Sequence, residues 1–347
     1  MANNKRPSNP EIAYLDLDAL LFAAAASGEQ VWHKVMLDGS EVGRFKSAAE
    51  YSNWLEDCEF IGSDLEFGLS QEDIDKVYKE VDYEILDVER CYKTFDNELK
   101  RWVREAGVTK YKGYVSSASG KPTFRTKVAT IFPYKGNRKS TRKPHHLESV
   151  RKYALRDPNI KKAVSSVEVD DYVVLMSERA GEKAVCVGVD KDSRQCSGTW
   201  IHIINGTDKP FYSPPNIVGV LERKDNKVTG HGHLHLLWQM LAGDKSVDNI
   251  GGVKGIGIAK AYDILKDFSG QSIDKLEEAV HTVCRVYENT YGDIYRYTHT
   301  HTQSLAEASW RDIMWENLRL LWMLRSKDDD GSFIGRYIDS YRSDDGH

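Results

Sequence analysis

Nowhere in this chain does one cysteine stand three positions from another. Its five cysteines, Cys58, Cys91, Cys186, Cys196 and Cys284, are scattered and odd in number. That excludes a disulfide framework and a CxxC zinc site, and fits free thiols in a reducing cytoplasm. Long apolar runs are missing too. The longest, ALLFAAAA at Ala19–Ala26, falls far short of the ~20 residues a membrane helix needs. No signal peptide precedes it, so a soluble cytoplasmic protein without a membrane partner is expected. A phosphate-binding P-loop is excluded because Lys260 is followed by Ala261 rather than Ser or Thr. No Ser/His/Cys nucleophile constellation and no internal repeat is present.

What the chain does have is charge, unevenly spread. The net charge is −5 over 347 residues, yet residues 133–162 hold ten Lys/Arg against Glu148 and Asp157, a local excess of eight. Acids concentrate in 56–89 and after Lys327. The local field, rather than the mean, governs phosphate binding. An apolar content of 40% is ordinary for a globular enzyme with one large domain or two small ones.

Alternation and helical spacing predict a strand at Ile12–Leu15, a hairpin over 31–45 around the Asp-Gly pair, and a helix capped by Ser47. Further helices are expected at 95–107, 146–155, 165–181, 233–241 and 305–324, strands at 111–117 and 183–189, and a hairpin over 216–230. Residues 59–93 give no clear pattern. Strands alternating with helices indicate an α/β fold with a mostly parallel sheet. In such sheets the functional crevice lies at the carboxyl ends of the strands, where Asp16 and Asp190 fall.

Acidic groups recur at element ends: Asp16/Asp18, Glu168/Asp170/Asp171, Asp190/Asp192 and Asp244/Asp248. Each alone suits a helix cap or a turn. Together at one sheet edge they are costly, since two carboxylates ~4 Å apart repel by roughly 4 kcal/mol at an effective dielectric near 20. Oxygen-only ligands select Mg²⁺ or Mn²⁺. Glu168 and Asp171, spaced i and i+3, would share a helix face. Two such ions can activate a water and stabilise the leaving oxygen of a phosphodiester. In GGVKGIGIAK (251–260) the glycines fit a helix–hairpin–helix type turn, whose bare amides approach a DNA phosphate with Lys254 and Lys260 adding charge. The histidines of HGHLH (231–235) and HTH (299–301) do not share a helical face and argue little for a metal.

The motifs YLDLDALLF, PYKGNR, VEVDD, VGVDKD and AGDKSVDNIGGVKGIGIAKA, in that order, resemble the bacteriophage 5′→3′ exonucleases of the flap endonuclease and DNA polymerase I 5′-nuclease superfamily. The resemblance runs from about Ile12 to Leu324. It implies a PIN-like core over 12–235 with a helical clamp around 121–160, then a helix–three-turn–helix and further helices over 236–325. Polar tails would occupy 1–11 and 326–347. It implies a two-metal 5′→3′ exonuclease of phage DNA replication or recombination, with flap endonuclease action and a structure-specific DNA-binding protein of weak or lost activity as the alternative. An RNA-directed nuclease of the PIN-like class is disfavoured by the glycine turn.

By the same resemblance Asp16, Glu168, Asp170, Asp171, Asp190, Asp192, Asp244 and Asp248 are metal ligands, with Asp16 and Asp171 catalytic. Lys135 and Arg138 would touch the scissile phosphate. Tyr134, Lys139, Arg142, Gly252, Lys254, Gly255, Gly257 and Lys260 would contact DNA. Mg²⁺ or Mn²⁺ would serve at the acids and K⁺ at the glycine turn. The partners would be DNA with a 5′ end or flap and RNA of RNA–DNA hybrids, met by a monomer. Where many relatives have another aspartate this chain has Ala118, for which Asp18 or a water is expected to compensate. Three residues, Lys245, Ser246 and Val247, separate the last two aspartates, where relatives usually have two.

Overall fold

The computed structural model describes residues 8–61, 66–117, 123–136, 142–164, 167–204, 209–245, 247–326 and 329–342. In chain order the first half forms β1 (Ile12–Asp16), α1 (Asp18–Ala26), β2 (Glu29–Leu37), β3 (Ser40–Phe45), α2 (Ala48–Ile61), α3 (Gln71–Ile74), β4 (Tyr78–Ile85), α4 (Val88–Glu105), β5 (Lys110–Val115), α5 (Phe124–Val128), α6 (Leu147–Ala154) and β6 (Ile160–Lys162). There follow α7 (Val169–Ala180), β7 (Ala184–Gly188), β8 (Thr199–Ile203), β9 (Phe211–Ser213), β10 (Gly219–Lys224), β11 (Lys227–Gly232), α8 (His233–Ala242), α9 (Ile258–Leu265), α10 (Leu276–Tyr291), β12 (Tyr295–Thr298), β13 (Leu305–Ala308), α11 (Trp310–Leu321) and α12 (Ser332–Ser340). No described helix is long and apolar enough to cross a membrane.

The chain divides into two compact units, one made of Leu20–Glu98 with Arg142–Arg156, the other of the remainder. The larger unit carries a six-stranded sheet of order β6-β5-β1-β7-β8-β9. Every neighbouring pair is parallel except β8 with β9. Parallel strands are buried on both faces, which is why all five residues of β7, AVCVG, are inaccessible to solvent. From β1 the chain adds β5 and then β6 on one side, and only afterwards crosses to place β7 on the other. The strand order therefore reverses between β1 and β7, and a crevice opens beyond their carboxyl ends.

One face of this sheet packs on α7 through Tyr14, Tyr114, Val173, Val174 and Ile201. A second core joins α8–α12 through Leu237, Val283, Met314 and Leu318. The smaller unit has its own antiparallel sheet, β3-β2-β4. It packs on α2 and α3 through Val35, Tyr51, Trp54 and Ile74.

The expected hairpins form, the first turning on Asp38 and Gly39, both at positive φ, the second joining β10 to β11. Residues 59–93, unreadable from sequence, hold α3, β4 and the start of α4. β4 is exposed at seven of eight positions, so no buried face gives it an alternating pattern. The helix expected over 305–324 begins only at Trp310, because the Ser309–Asp312 capping box starts it there and Leu305–Ala308 pairs as a strand with β12. The tail expected from 326 contains α12, which buries Ile334 and Ile338. Helices α8–α12 belong to the same compact unit as the parallel sheet.

Candidate metal centre

Asp16 is the last residue of β1 and Asp190 lies two positions beyond β7, so the strand-order reversal brings both to one crevice. Gly188 shows how close the strands are there: a Cβ added to it would lie 3.5 Å from that of Asp16. Asp190 caps the 3₁₀ turn Lys191–Gln195 by accepting the Asp192 N–H at 2.9 Å. Asp192 is buried and accepts a bond from the Gln239 amide at 2.6 Å. Asp170 enters from the first turn of α7.

Charge in this group is poorly compensated. Among the described residues no Lys or Arg pairs with Asp16, Asp170, Asp190 or Asp192. Burial, then the charges of Asp18 and Asp190, push the Asp16 pKa up to about 7. Burial, then Asp190, push Asp192 up to about 7 as well. Burial with Asp171 and Glu168 raises Asp170 well above the ordinary carboxylate range. Carboxyl groups from β1, from α7 and from the turn after β7 thus oppose one another's ionisation.

The other acids are engaged. Asp171 is fully buried, and both its oxygens receive the Arg125 guanidinium, at 2.7 and 2.8 Å. Its Oδ1 also accepts the Leu324 N–H at 2.9 Å. Arg125 donates further to the carbonyls of Leu320 and Trp322. The sequence reading gave Asp171 to a metal and to catalysis; the structure gives its oxygens to an ion pair that anchors α7. Glu168 is not in the helix but at its N-cap, with extended backbone. It meets Asp171 not across the crevice but at Arg125, 3.4 Å from Glu168.

Lys135 reaches Glu168 at 3.2 Å, and Tyr134 donates to Glu168 at 3.5 Å and Asp248 at 3.4 Å. Burial would raise the Glu168 pKa, but Arg125 and Lys135 outweigh it and hold it below the usual value. Lys135 takes a left-handed φ of 56° and its N–H bonds the Asp248 carbonyl at 2.9 Å. Asp244 pairs with Lys191 at 2.6 Å. The long spacing between Asp244 and Asp248 is absorbed in a loop closed by the Asp244–Ile250 bridge. That loop turns Asp248 toward Tyr134 and Asp244 toward Lys191.

Asp18 receives the Ser116 N–H at 2.9 Å and the Ser116 hydroxyl, tying the exit of β1 to that of β5. Both oxygens of this expected compensating ligand are therefore engaged. Ala118, Arg138, Lys139 and Ser246 lie outside the described residues. Arg142 belongs to the smaller unit, where it forms a two-pronged pair with Glu29 at 2.6 and 3.0 Å and lies 3.7 Å over the Tyr83 ring.

The donor set is oxygen only, which suits Mg²⁺ or Mn²⁺. Among the described residues no three His, Cys, Asp or Glu side chains form a group that could hold one ion by themselves. Mg²⁺ in phosphate chemistry uses one or two carboxylates and fills its remaining positions with water and substrate phosphate. Acids with Lys191 and Arg125 acting on them only from beyond ion-pair contact fit that mode rather than an all-protein cage.

The glycine stretch connects α8 to α9, and its glycines divide into two kinds. Gly252, at φ 59°, lies against Gly243, where an added Cβ would fall 2.4 Å from the Gly243 nitrogen. A Cβ added to Gly251 would fall 2.6 Å from the Phe132 ring. These two serve packing. Gly255 and Gly257 face open space within 4 Å, and Lys254 and Lys260 are exposed beside them. His231, His233 and His235 are drawn into the protein at the β11–α8 junction, where burial lowers their pKa to about 4, 3 and 3. His299 closes a turn by accepting the N–H of His301.

Sequence reasoning missed Arg125, Lys191 and Gln239. Arg125 lies in a short TFR segment with no periodicity, and its partners lie 46 to 197 positions away.

No family model and no curated protein matches the chain. Similar solved structures include T5 5′-exonuclease with bound zinc, at 14% identity and TM-score 0.42 over 71% of this chain and 89% of that one. A T5 protein co-crystallised with metal ions has 13% identity and TM-score 0.42 over 72% and 89%. A mutant of T5 5′-exonuclease has 12% identity and TM-score 0.41 over 71% and 84%. At such values function has to be argued from the residues themselves.

Proposed function

We propose that the protein is a divalent-metal-dependent nuclease that hydrolyses DNA phosphodiesters from a 5′ end, 5′→3′, with action on 5′ flaps. The observation that carries this reading is the set Asp16, Asp170, Asp190 and Asp192, which converge from three separate elements and have no paired cation among the described residues. Divalent cations bound there would supply Lewis acidity and a nucleophile at neutral pH. Asp16 and Asp190 would be the primary holders, with Asp170 and Asp192 behind them. Glu168, Asp244 and Asp248 would join through their outer lone pairs.

Lys135 would swing from Glu168 to the scissile phosphate, with Arg138 assisting. Tyr134, under the Lys135 ammonium at 4.7 Å, would stack on a base of the single-stranded arm. Gly255, Gly257, Lys254 and Lys260 would hold duplex phosphates downstream, with K⁺ at the turn. The second reading, a structure-specific DNA-binding protein with weak cutting, is favoured by one observation, the commitment of Asp171 to Arg125.

The test is a 5′-labelled flapped duplex incubated with pure protein. Product release in Mg²⁺ or Mn²⁺, abolished by chelator and by Asp190→Asn, is expected. Tight binding without cleavage in either metal would favour the second reading instead.

A further inference from the structure

Beside the glycine loop lies a cavity of about 160 Å³. An apolar space of about 150 Å³ accepts one benzene-sized ring, so this one suits a single six-membered heterocycle. Its floor is buried and aliphatic, formed by Ile250, Ile313 and Leu320. Beside Ile131, its remaining apolar side chains are aromatic: Phe132, Tyr291 and Tyr295.

Each ring is set in place. Phe132 is 48% exposed, and only the absence of a side chain at Gly251 lets its ring lie where it does. Tyr291 donates to the Gly252 carbonyl and accepts the Lys254 N–H, both at 3.1 Å, and meets Tyr295 edge-on at 5.0 Å. Inside, Glu316 is fixed through both oxygens, Oε1 by the Thr130 and Ile131 amides at 2.9 and 3.0 Å and Oε2 by the Thr130 hydroxyl, and gives the cavity a polar edge. Two exposed lysines, Lys245 and Lys254, stand among the lining residues. Apolar faces for stacking, a polar edge and cations for a phosphate together match a nucleotide.

Position adds to this. Phe132 precedes Lys135 by three residues and Asn249, also lining the cavity, follows Asp248. Three residues span at most about 10 Å, so the cavity lies within roughly one or two nucleotides of Lys135.

We propose that this cavity receives one unpaired pyrimidine base of the bound DNA strand, close to the phosphate at Lys135. The proposal rests on the DNA-cutting reading above and adds the subsite that fixes which phosphate is presented. The test is photocrosslinking with 5-iodouracil placed at successive positions of a flapped duplex, in chelator, with duplex binding followed separately by anisotropy. One or two positions should crosslink to Phe132, Tyr291 or Tyr295. Leu320→Trp, which fills the floor, and Phe132→Ala, which removes an exposed ring, should each cut that yield about tenfold while leaving duplex affinity unchanged. DNA that binds but crosslinks evenly along its length, or a yield indifferent to both variants, overturns the base subsite alone. Failure of any DNA to bind overturns the subsite and the nuclease reading together.

Discussion

Two aspartates of the candidate site, Asp171 and Asp16, do opposite work. Asp171 is the two-pronged partner of a buried guanidinium, so Asp171→Asn leaves Arg125 in the core with only the single, longer pair to Glu168 at 3.4 Å. A loss of about 3–5 kcal/mol in denaturant unfolding is expected, equal in chelator and in Mg²⁺. Asp16 behaves the other way. Its carboxyl titrates at about 7 in the folded chain against 3.8 for the free group, so between those values the folded state binds the extra proton. The stability that proton contributes is full below about 3.8 and lost as pH rises through about 7. Asp16→Asn does not titrate. Its stability relative to wild type in chelator should therefore be least near pH 4, rise to about pH 7 and level off above it. Taking the difference also removes the opposing titration of His231, His233 and His235. A flat difference between pH 4 and pH 8 would show that Asp16 is not crowded by charge. From sequence, Asp16 and Asp171 look alike, each an acid beside an apolar run. What separates them is Arg125, 46 positions before Asp171 and without local signal.

At the scale of elements, the glycine loop permits a sharper test than any lysine. Gly257 has φ −94° and open space around its missing Cβ, so Gly257→Ala should leave thermal stability within about 0.5 kcal/mol. A duplex affinity that nonetheless falls severalfold would report a phosphate against that backbone; unchanged affinity would remove the loop from the interface. Gly252→Ala, which collides with backbone at 2.4 Å, should instead destabilise the fold outright. Four glycines in seven residues were legible as a close approach, but not which surface approached. Half of them meet the protein's own chain at Phe132 and Gly243, and contacts of that kind leave no periodicity. The parallel sheet was legible because β1 and β7 are continuous apolar runs ending in acids. β4 was not, since an exposed edge strand carries no alternating face.

Over the whole molecule the net charge of −5 repels DNA, so binding has to come from local cations. Affinity for duplex should fall steeply with salt, and replacing Lys254 and Lys260 together by Ala should reduce the log–log salt slope by about 2. A slope unchanged by the pair would place the phosphate contacts elsewhere, in the basic stretch after Tyr134.

The Arg125 hook has a consequence in time. Its guanidinium reaches carbonyls at Leu320 and Trp322, and the Asp171 it holds is completed by the amide of Leu324. Ribosomes release a chain from its amino end, so the Arg125–Asp171 pair gains its bonds to Leu320, Trp322 and Leu324 only after residue 324 has emerged. Until then Arg125 lacks both its carbonyl acceptors and Asp171 lacks its amide donor. A nascent chain stalled before α11 is complete should therefore hold α7 less firmly, read as faster amide hydrogen exchange in α7 than in the released chain.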